Sequence, residues 1–537
     1  MMSEVYDYIV VGGGSAGCAV TCRLIEAGKS VLLLEAGPKD NHPYIHIPAT
    51  FIRVHGSART WMYKSAPEPE LNGREVYVPQ GRTLGGGSSV NAMIYIRGQA
   101  EDYDDWRRAG CTGWGFDDVL PFFRRSEGNE RLAGPLHGTD GPLKVSDGRH
   151  RHPLSAAFVK AAQEAGIPYN DDFNGAAQAG VGYFQTTTFA ERRASSAATY
   201  LRSVRGNPRL TVVTNAHVLG LILENGAAVG VRTRHDNGQE TQARVREEVI
   251  LSAGALSTPK ILMLSGIGPA AHLSELGIPV VRDLAGVGEN FQDHLAASVY
   301  GQTRENISLL GNDKGLKALR HGLAYLAFRR GLLTSNVVES GGFVDTAGQG
   351  RPDIQFHVVP NLVGDVDRLA PAGHGISINP CDLRPKSRGT VRLGGRAPEA
   401  PIVLNARYLS APEDLATLVR GVRLARRILR APSLARLVSH EILPSREDEA
   451  PDHVIEDHVR TVAKTVYHPS GTCRMGTDEL AVVDPALRVR GVPRLRVADI
   501  SIMPSIVSGN TNAPAIMIGE RCADFVLGGK VVAAPRA

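Results

Sequence analysis

The sequence predicts an α/β protein, and three observations carry the prediction. An apolar run, Tyr8-Ile9-Val10-Val11, leads straight into the glycine-rich string Gly12 to Gly17 (GGGSAG). A helix-like stretch, Cys18 to Ala27, follows. A second apolar run, Val31 to Leu34, then ends at an acid, Glu35. Strand, glycine turn, helix, strand and acid, in that order, make the phosphate-binding half of a dinucleotide fold.

Each element has a physical reason. Gly12 permits the tight turn, Gly14 lets the backbone approach a pyrophosphate, and Gly17 lets the helix pack close on the strand. The helix N-terminus offers free N–H groups to phosphate oxygens. Glu35 stands 18 residues beyond Gly17, near the spacing of about 20 expected for an acceptor of a ribose hydroxyl. The acid favours a free 2′-hydroxyl over a 2′-phosphate, which would want an arginine. NAD and FAD both satisfy that condition. The motif's position at the start of the chain suits a flavoprotein better, but position alone does not decide.

At 537 residues the chain is too long for one core, so two or more domains are expected. Hydrophobic content of 42% and charged content of 21% are ordinary for a globular protein. The formal charge of +5 is small for this length, and no basic stripe interleaves with aromatics. No nucleic-acid partner is expected. The first apolar segment follows Glu4 and Asp7 and lacks a basic n-region, so no secretory leader is expected. No run approaches the roughly 18 apolar residues of a membrane span. Six cysteines are scattered without framework spacing, which points to a reduced, cytoplasmic protein. Cys18 and Cys22 read as packing residues on the first helix, not as metal ligands, and no metal is expected.

No internal repeat interrupts the chain. A second glycine-rich segment runs from Gly81 to Asn91 (GRTLGGGSSVN). Ser155 to Gly166 reads as an amphipathic helix. Leu210 to Thr214, Val218 to Leu223 and Val229 to Thr233 read as the strands of a meander, and Val249 to Ser252 as a buried strand. From about residue 307 to 458, helices such as Leu316 to Arg329 and Pro412 to Leu429 alternate with strand-like runs such as Asp353 to Val359 and Gly375 to Asn379. The final seventy or so residues return to glycine-rich motifs, so discontinuous domains are the natural inference.

Five ordered strings resemble the glucose–methanol–choline (GMC) oxidoreductases, a family of flavoenzymes. They are GGGSAG with Glu35, GRTLGGGSSVNAMIYIRG (81–98), SAGALSTPKILMLSGIG (252–268), YHPSGTCRMG (467–476) and VADISIMPSIVSGNTNAPAIMIGE (497–520). GVGENFQDH (286–294) is a further family-like string. The likeness runs from residue 7 to about 527. DNHPYIHIP, YNDDFNGA and SNVVESGGF are similar to the L-sorbose dehydrogenases within the family.

The resemblance implies a Rossmann-like FAD-binding domain (1–155, 195–305 and 462–537). It also implies a discontinuous substrate-binding domain of antiparallel sheet plus helices (156–194 and 306–461). FAD would rest on Gly12, Gly14, Ser15, Ala16, Gly17, Glu35 and Ala36. Arg82, Gly86, Gly87, Ser88, Asn91, Ala92 and Met93 would pass under the pyrophosphate and flavin ring. Val218 would meet adenine through its backbone. Ala253, Gly254, Asp499, Asn512 and Pro514 would complete the contacts. Some relatives attach their flavin through a histidine at the position of Val90; valine has no nucleophile, so a noncovalent FAD is expected.

The implied reaction is oxidation of an alcohol or sugar hydroxyl by hydride transfer to flavin N5. His468 is the expected base, since imidazole titrates near neutral pH. Asn512 is expected to orient the substrate oxygen, with Asn510 the competing choice. Glu339, in SNVVESGGF, has two readings: a substrate contact toward a cationic group, or a hydrogen-bonded structural acid, and the second is favoured. Electrons would pass to a quinone, cytochrome or artificial acceptor. A choline dehydrogenase, an oxygen-using oxidase and a flavin-containing lyase are the rival readings. Attachment at the membrane surface is an open alternative to a wholly cytoplasmic location, although no amphipathic anchor stands out.

Overall fold

The computed structural model describes residues 5–365 and 368–529. Two sheets organise the chain. In the first, Val5–Val11 lies at the centre, pairing in parallel with Val31–Leu34 on one side and Glu240–Leu251 on the other. Ile9, Val10, Leu33, Val249, Ile250 and Leu251 are fully buried. Strands covered on both faces read as continuous apolar runs, not alternating ones. Each such side chain stabilises the fold by about 1.5–3 kcal/mol.

Leu210–Val213 pairs in parallel with Val31–Leu34 at the outer edge. This corrects the meander reading. Asn215, in the left-handed region at φ 55°, marks the turn after it, and of the three runs just the last two, in Ala216–Glu224 and Ala227–His235, pair antiparallel as a hairpin. That hairpin extends the first half of Glu240–Leu251, whose second half pairs in parallel with Leu495–Val497. The C-terminal segment thus returns to the N-terminal sheet.

The first and last helices, Ser15–Glu26 and Asn512–Val526, cross closely. A Cβ on Gly519 would fall 2.5 Å from the carbonyl oxygen of Ala16. A buried ion pair pins the crossing: Arg23 donates to both carboxylate oxygens of Glu520 at 2.8 and 2.7 Å. The Tyr200 hydroxyl adds a third bond at 2.7 Å. Removing one partner would leave a buried charge unpaired, which costs several kcal/mol, about 3–5.

The second sheet is antiparallel, in the order Val438–Leu443, Val299–Thr303, Gly375–Asp382, Ile354–Val359, Ser340–Val344 and Gly180–Tyr183. Helices Pro153–Glu164 and Pro412–Leu429 pack against it. Val299–Thr303 and Lys464–Thr465 fall in segments the sequence groups with the first domain, yet both pair in this second sheet. They are short runs whose partners lie far along the chain, so nothing local announces which sheet they join.

Candidate functional site

The glycine string does what its spacing implies. Gly12 has φ +104°, and its N–H donates to Leu34 O at 2.8 Å. A Cβ there would meet the Ser252 carbonyl oxygen at 2.3 Å, and one on Gly17 would meet the Gly12 oxygen at 2.0 Å. Gly14 differs: a Cβ would meet nothing closer than 3.9 Å. Its missing side chain therefore leaves room in front of the helix, not inside the fold. The second glycine string comes down directly on the first. Gly85 N–H donates to Gly13 O at 2.7 Å, and a Cβ on Gly86 would meet Gly14 Cα at 2.7 Å. Gly87 faces open space.

Two helix N-termini converge here. The Ser15 hydroxyl, in the first turn of one helix, donates to the amide oxygen of Asn512, in the first turn of the other, at 2.7 Å. Paired positive helix ends make a strong anion site. Ala16 is buried in the same turn, and Pro514 in the first turn of the last helix. Against the second glycine string lies Arg193, buried. It donates to the carbonyls of Ile45 and Ser88 and to Asn91 Oδ1 at 2.7–3.0 Å. Its Nη2 has no partner, and burial pulls its pKa down to about 9. The sequence offers no signal for this residue.

Glu35 is buried at the far end of the cradle. Its oxygens accept from Gly13 N–H at 3.0 Å and Gly37 N–H at 2.8 Å. Burial pushes its carboxyl up to about 7, against those two donors. Each oxygen keeps a second lone pair for a ribose hydroxyl. Ala36 is half-buried next to it. Arg82 lays its guanidinium over the Trp61 ring at 4.5 Å. Val218 puts its side chain in the core, leaving only its backbone for a ligand. Asp499 accepts from Gly254 N–H at 2.9 Å and the Thr258 hydroxyl at 2.6 Å. It thereby fixes the Ala253–Gly254 turn, where a Cβ on Gly254 would meet nothing within 4 Å. Asn91 accepts from Met93 N–H at 3.0 Å, Met93 holds φ +60°, and the Ala92 carbonyl accepts from Asn336 at 2.9 Å. Open glycines, convergent helix ends, an acid for a ribose and an unpaired buried cation together fit a flavin dinucleotide.

His468 follows Lys464–Thr465, a short strand of the second sheet. Tyr467, just before it, holds φ +70°, a strained conformation that the surroundings must enforce. Asp293 supplies part of that: its carboxylate accepts from His468 N–H at 2.9 Å and from the hydroxyls of Tyr408 and Thr465. The imidazole is buried. Burial, reinforced by nearby His294 and His357, holds its pKa well below the ordinary histidine value.

The hydrogen-bond chain assigns the proton. His294 Nε2 lies 3.1 Å from the Leu383 carbonyl oxygen, which can only accept. Nε2 of His294 therefore carries hydrogen. Burial lowers the pKa of His294 to about 4, so its Nδ1 keeps a lone pair. His468 Nδ1, 2.9 Å away, must donate to it. The lone pair of His468 is thereby directed to Nε2. His294 belongs to the family-like GVGENFQDH string, yet sequence reasoning gave it no task.

The asparagine expectation needs correction. Asn510, not Asn512, faces the imidazole: its Nδ2 is 3.4 Å from His468 Nε2. Gln355 donates to Asn510 Oδ1 at 3.0 Å and fixes the amide so that its N–H groups point to the histidine. Asn512 begins the last helix and is held by Ser15 instead. The physical reason is the turn between them. Gly509 (φ +154°) presses so close to Ile96 that a Cβ would lie 2.4 Å from its Cγ2. The helix then rotates residue 512 away.

Glu339 takes the second of its two readings, the hydrogen-bonded structural acid. It binds His150 Nδ1 at 2.7 Å, the Ser335 hydroxyl at 2.6 Å and His152 N–H at 2.6 Å. Burial alone would raise its pKa; these donors outweigh it and hold the carboxyl below its usual range. It is a strut of the framework. The groups that do gather by His468 are His357, whose buried Nδ1 has no partner, and Gln355, whose Oε1 has none. The buried cluster Ile94, Ile96, Phe173, Phe184, Phe343 and Leu383 packs alongside, with Phe184 6.2 Å from the His357 ring.

Comparison with known proteins agrees with this geometry. Models of the GMC oxidoreductase N- and C-terminal regions match residues 6–296 and 385–519. The chain is 44% identical over 532 residues to an alcohol dehydrogenase [acceptor] of Pseudomonas putida, covering 97% of this chain and 96% of that one. It is 42% identical over 537 residues to the mitochondrial choline dehydrogenase of Homo sapiens, covering 98% and 90%. Among solved structures, pyridoxine 4-oxidase from Mesorbium loti superposes with a TM-score of 0.88 at 29% identity, covering 96% and 98%. Formate oxidase of Aspergillus oryzae RIB40 superposes with 0.92 at 26%, covering 99% of both chains. On its sequence, its two sheets and its glycine cradle alike, this chain belongs to the GMC oxidoreductase family.

Proposed function

We propose that the protein is an FAD-dependent dehydrogenase that oxidises a primary alcohol with an apolar body to the carbonyl and hands the electrons to an acceptor other than oxygen. The observation that carries this reading is the lone pair of His468 Nε2, buried, neutral and adjacent to the Asn510 amide. Bound FAD supplies the hydride acceptor. His468 Nε2 takes the hydroxyl proton of the alcohol. Asn510 donates an N–H to the oxygen as negative charge develops on it, a contribution that needs no titration. His294 keeps the imidazole in the required tautomer, and Asp293 holds its backbone.

The pocket chemistry supports an alcohol over an L-sorbose-like sugar. A sugar would bring several hydroxyls, whereas the buried cluster that adjoins His357 through Phe184 and His294 through Leu383 is aromatic and aliphatic. The free polar atoms of His357 and Gln355 suit one or two hydroxyls. Choline finds no support in Glu339, which is committed to its three donors. Val90 is buried against Ile45 and Val54 and carries no nucleophile, which supports a noncovalent FAD. The name of the Pseudomonas relative supports an acceptor other than oxygen. The scattered, unpaired cysteines support a cytoplasmic location. No helix of the described residues is long and apolar enough to cross a membrane.

The test is anaerobic mixing of the purified yellow enzyme with primary alcohols of increasing chain length, L-sorbose and choline, followed by flavin bleaching, with an oxygen electrode run alongside. Bleaching by the longer alcohols with little oxygen uptake is the expected result. Bleaching by L-sorbose or choline alone would overturn the substrate assignment, and rapid oxygen uptake the acceptor assignment.

A further inference from the structure

The helix Gly315–Phe328 is built the wrong way round for a helix that packs against a core. Leu316, Leu319, Leu323 and Leu326 fall on one stripe, and they are 84%, 57%, 58% and 70% exposed. Phe328 is exposed as well, while Tyr325 alone of the helix is buried. Leucines at this spacing read in sequence as a core-facing stripe; here the stripe faces out. Soluble proteins rarely expose contiguous apolar surface of this kind without a partner for it.

The charge around the stripe identifies the partner. Residues 314–330 contain Lys314, Lys317, Arg320, Arg329 and Arg330 and no acid at all. The nearest acid along the chain, Asp313, is paired with Arg53 at 3.1 Å, and Glu191, beside the helix in space, is paired with Arg149 at 3.5 Å. Apolar residues on one face with cations along the flanks match an anionic lipid surface, with the leucines in the acyl boundary and the cations among the phosphates.

The neighbouring elements extend the same surface. The Tyr325 hydroxyl donates to Glu191 O at the tip of a hairpin whose Phe189 is exposed. The segment Pro48–Val54 packs against the turn that follows the helix, and its Ile52 is exposed. This segment also reaches the catalytic centre. Val54 packs with Val90, and His55 lies edge-on to Tyr467 at 5.6 Å, next to His468.

We propose that this face docks the enzyme on an anionic phospholipid bilayer, with the helix 315–328 lying in the interface plane beside the active site. An enzyme held this way would meet apolar alcohols and a lipid-dissolved acceptor where they are concentrated. The docking itself is read without turnover, so it stands or falls separately from the reaction.

The experiment is cosedimentation of the FAD-loaded protein with vesicles of phosphatidylcholine mixed with anionic phosphatidylglycerol, and with vesicles of phosphatidylcholine alone. The wild type should pellet with the mixed vesicles and far less with the neutral ones. Lys317→Gln with Arg320→Gln should weaken binding about 25-fold, roughly fivefold for each cation. Leu319→Asp with Leu323→Asp should abolish it. All variants should keep their flavin, thermal stability and dye-reduction rate in solution, since these side chains lie outside the core. Absence of binding to the mixed vesicles would overturn the proposal, as would a leucine variant that binds like the wild type. A wild-type dimer by light scattering that the leucine variant dissolves, with no vesicle binding, would assign the face to a second copy of the chain instead.

Discussion

The nucleotide cradle and the catalytic centre are built in contrasting ways. The cradle is made of backbone: two glycine strings and two helix ends, with side chains mostly kept out of the way. Its first half is continuous in sequence, from Val5 to Glu35. The catalytic centre is made of side chains drawn from several distant parts of the chain. His294 and His468 are 174 residues apart, and Gln355 and Asn510 are 155 apart. Backbone sites leave a local signature because only certain residues permit the geometry. Side-chain sites leave almost none, because any exposed loop can deliver a histidine. The two regions should accordingly fail in different ways when altered.

The largest effect is expected inside the cradle. Gly17→Val places a Cβ against the Gly12 carbonyl, so no folded, yellow protein should be recovered; normal yield and flavin content would break the packing argument. In the catalytic centre, His468→Ala should leave FAD bound but slow flavin reduction by an alcohol roughly 10²–10⁴-fold, the usual worth of a positioned base. Stopped-flow absorbance measures this directly.

Gly14→Val sharpens the comparison, because this glycine has room within the fold. The apoprotein should be folded by circular dichroism, while FAD affinity falls at least roughly 100-fold, or about 2.8 kcal/mol. Unaltered FAD titration would show that the space in front of Gly14 is not the cofactor's.

His294→Ala removes the acceptor that sets the His468 tautomer. Flavin reduction should slow about 10–100-fold, as for loss of other orienting partners. The pH profile adds a second readout. The pKa of His468 is lowered, so the wild-type base keeps its lone pair as pH falls through about 6.5, the ordinary histidine value. The reduction rate should stay level there and decline only at lower pH. In the variant the apparent pKa should change together with the rate. A slower enzyme with an unshifted profile would reduce His294 to a packing role.

Much of the first sheet was legible because its strands are buried on both faces and its turns need glycine. Residues 7–35 specify strand, turn, helix and strand without help from the rest of the chain. Leu210–Val213 was legible as a strand but not as a parallel edge strand, since its partner Val31–Leu34 lies far back in sequence. His468 was legible from its string. Asn510 and Asn512 were not separable, because both sit in GNTNA, and only the change from extended chain to helix at residue 512 sends them in opposite directions. Gln355 and His357 alternate correctly for one face of a strand, but alternation does not say what that face meets. Arg193 had no pattern at all; its burial without a counter-charge becomes visible only in three dimensions.

The asparagine pair gives the most direct test of the central claim that His468 and Asn510 do the chemistry while Asn512 serves the cradle. Flavin reduction by an alcohol and FAD dissociation would be measured on Asn510→Ala and Asn512→Ala. Asn510→Ala should slow reduction roughly 10²–10³-fold, the worth of a donor to a developing alkoxide, with FAD held as tightly as in the wild type. Asn512→Ala should loosen FAD and leave the reduction rate of the loaded enzyme within a fewfold of normal. The reverse pattern, reduction crippled by Asn512→Ala and untouched by Asn510→Ala, would contradict the account.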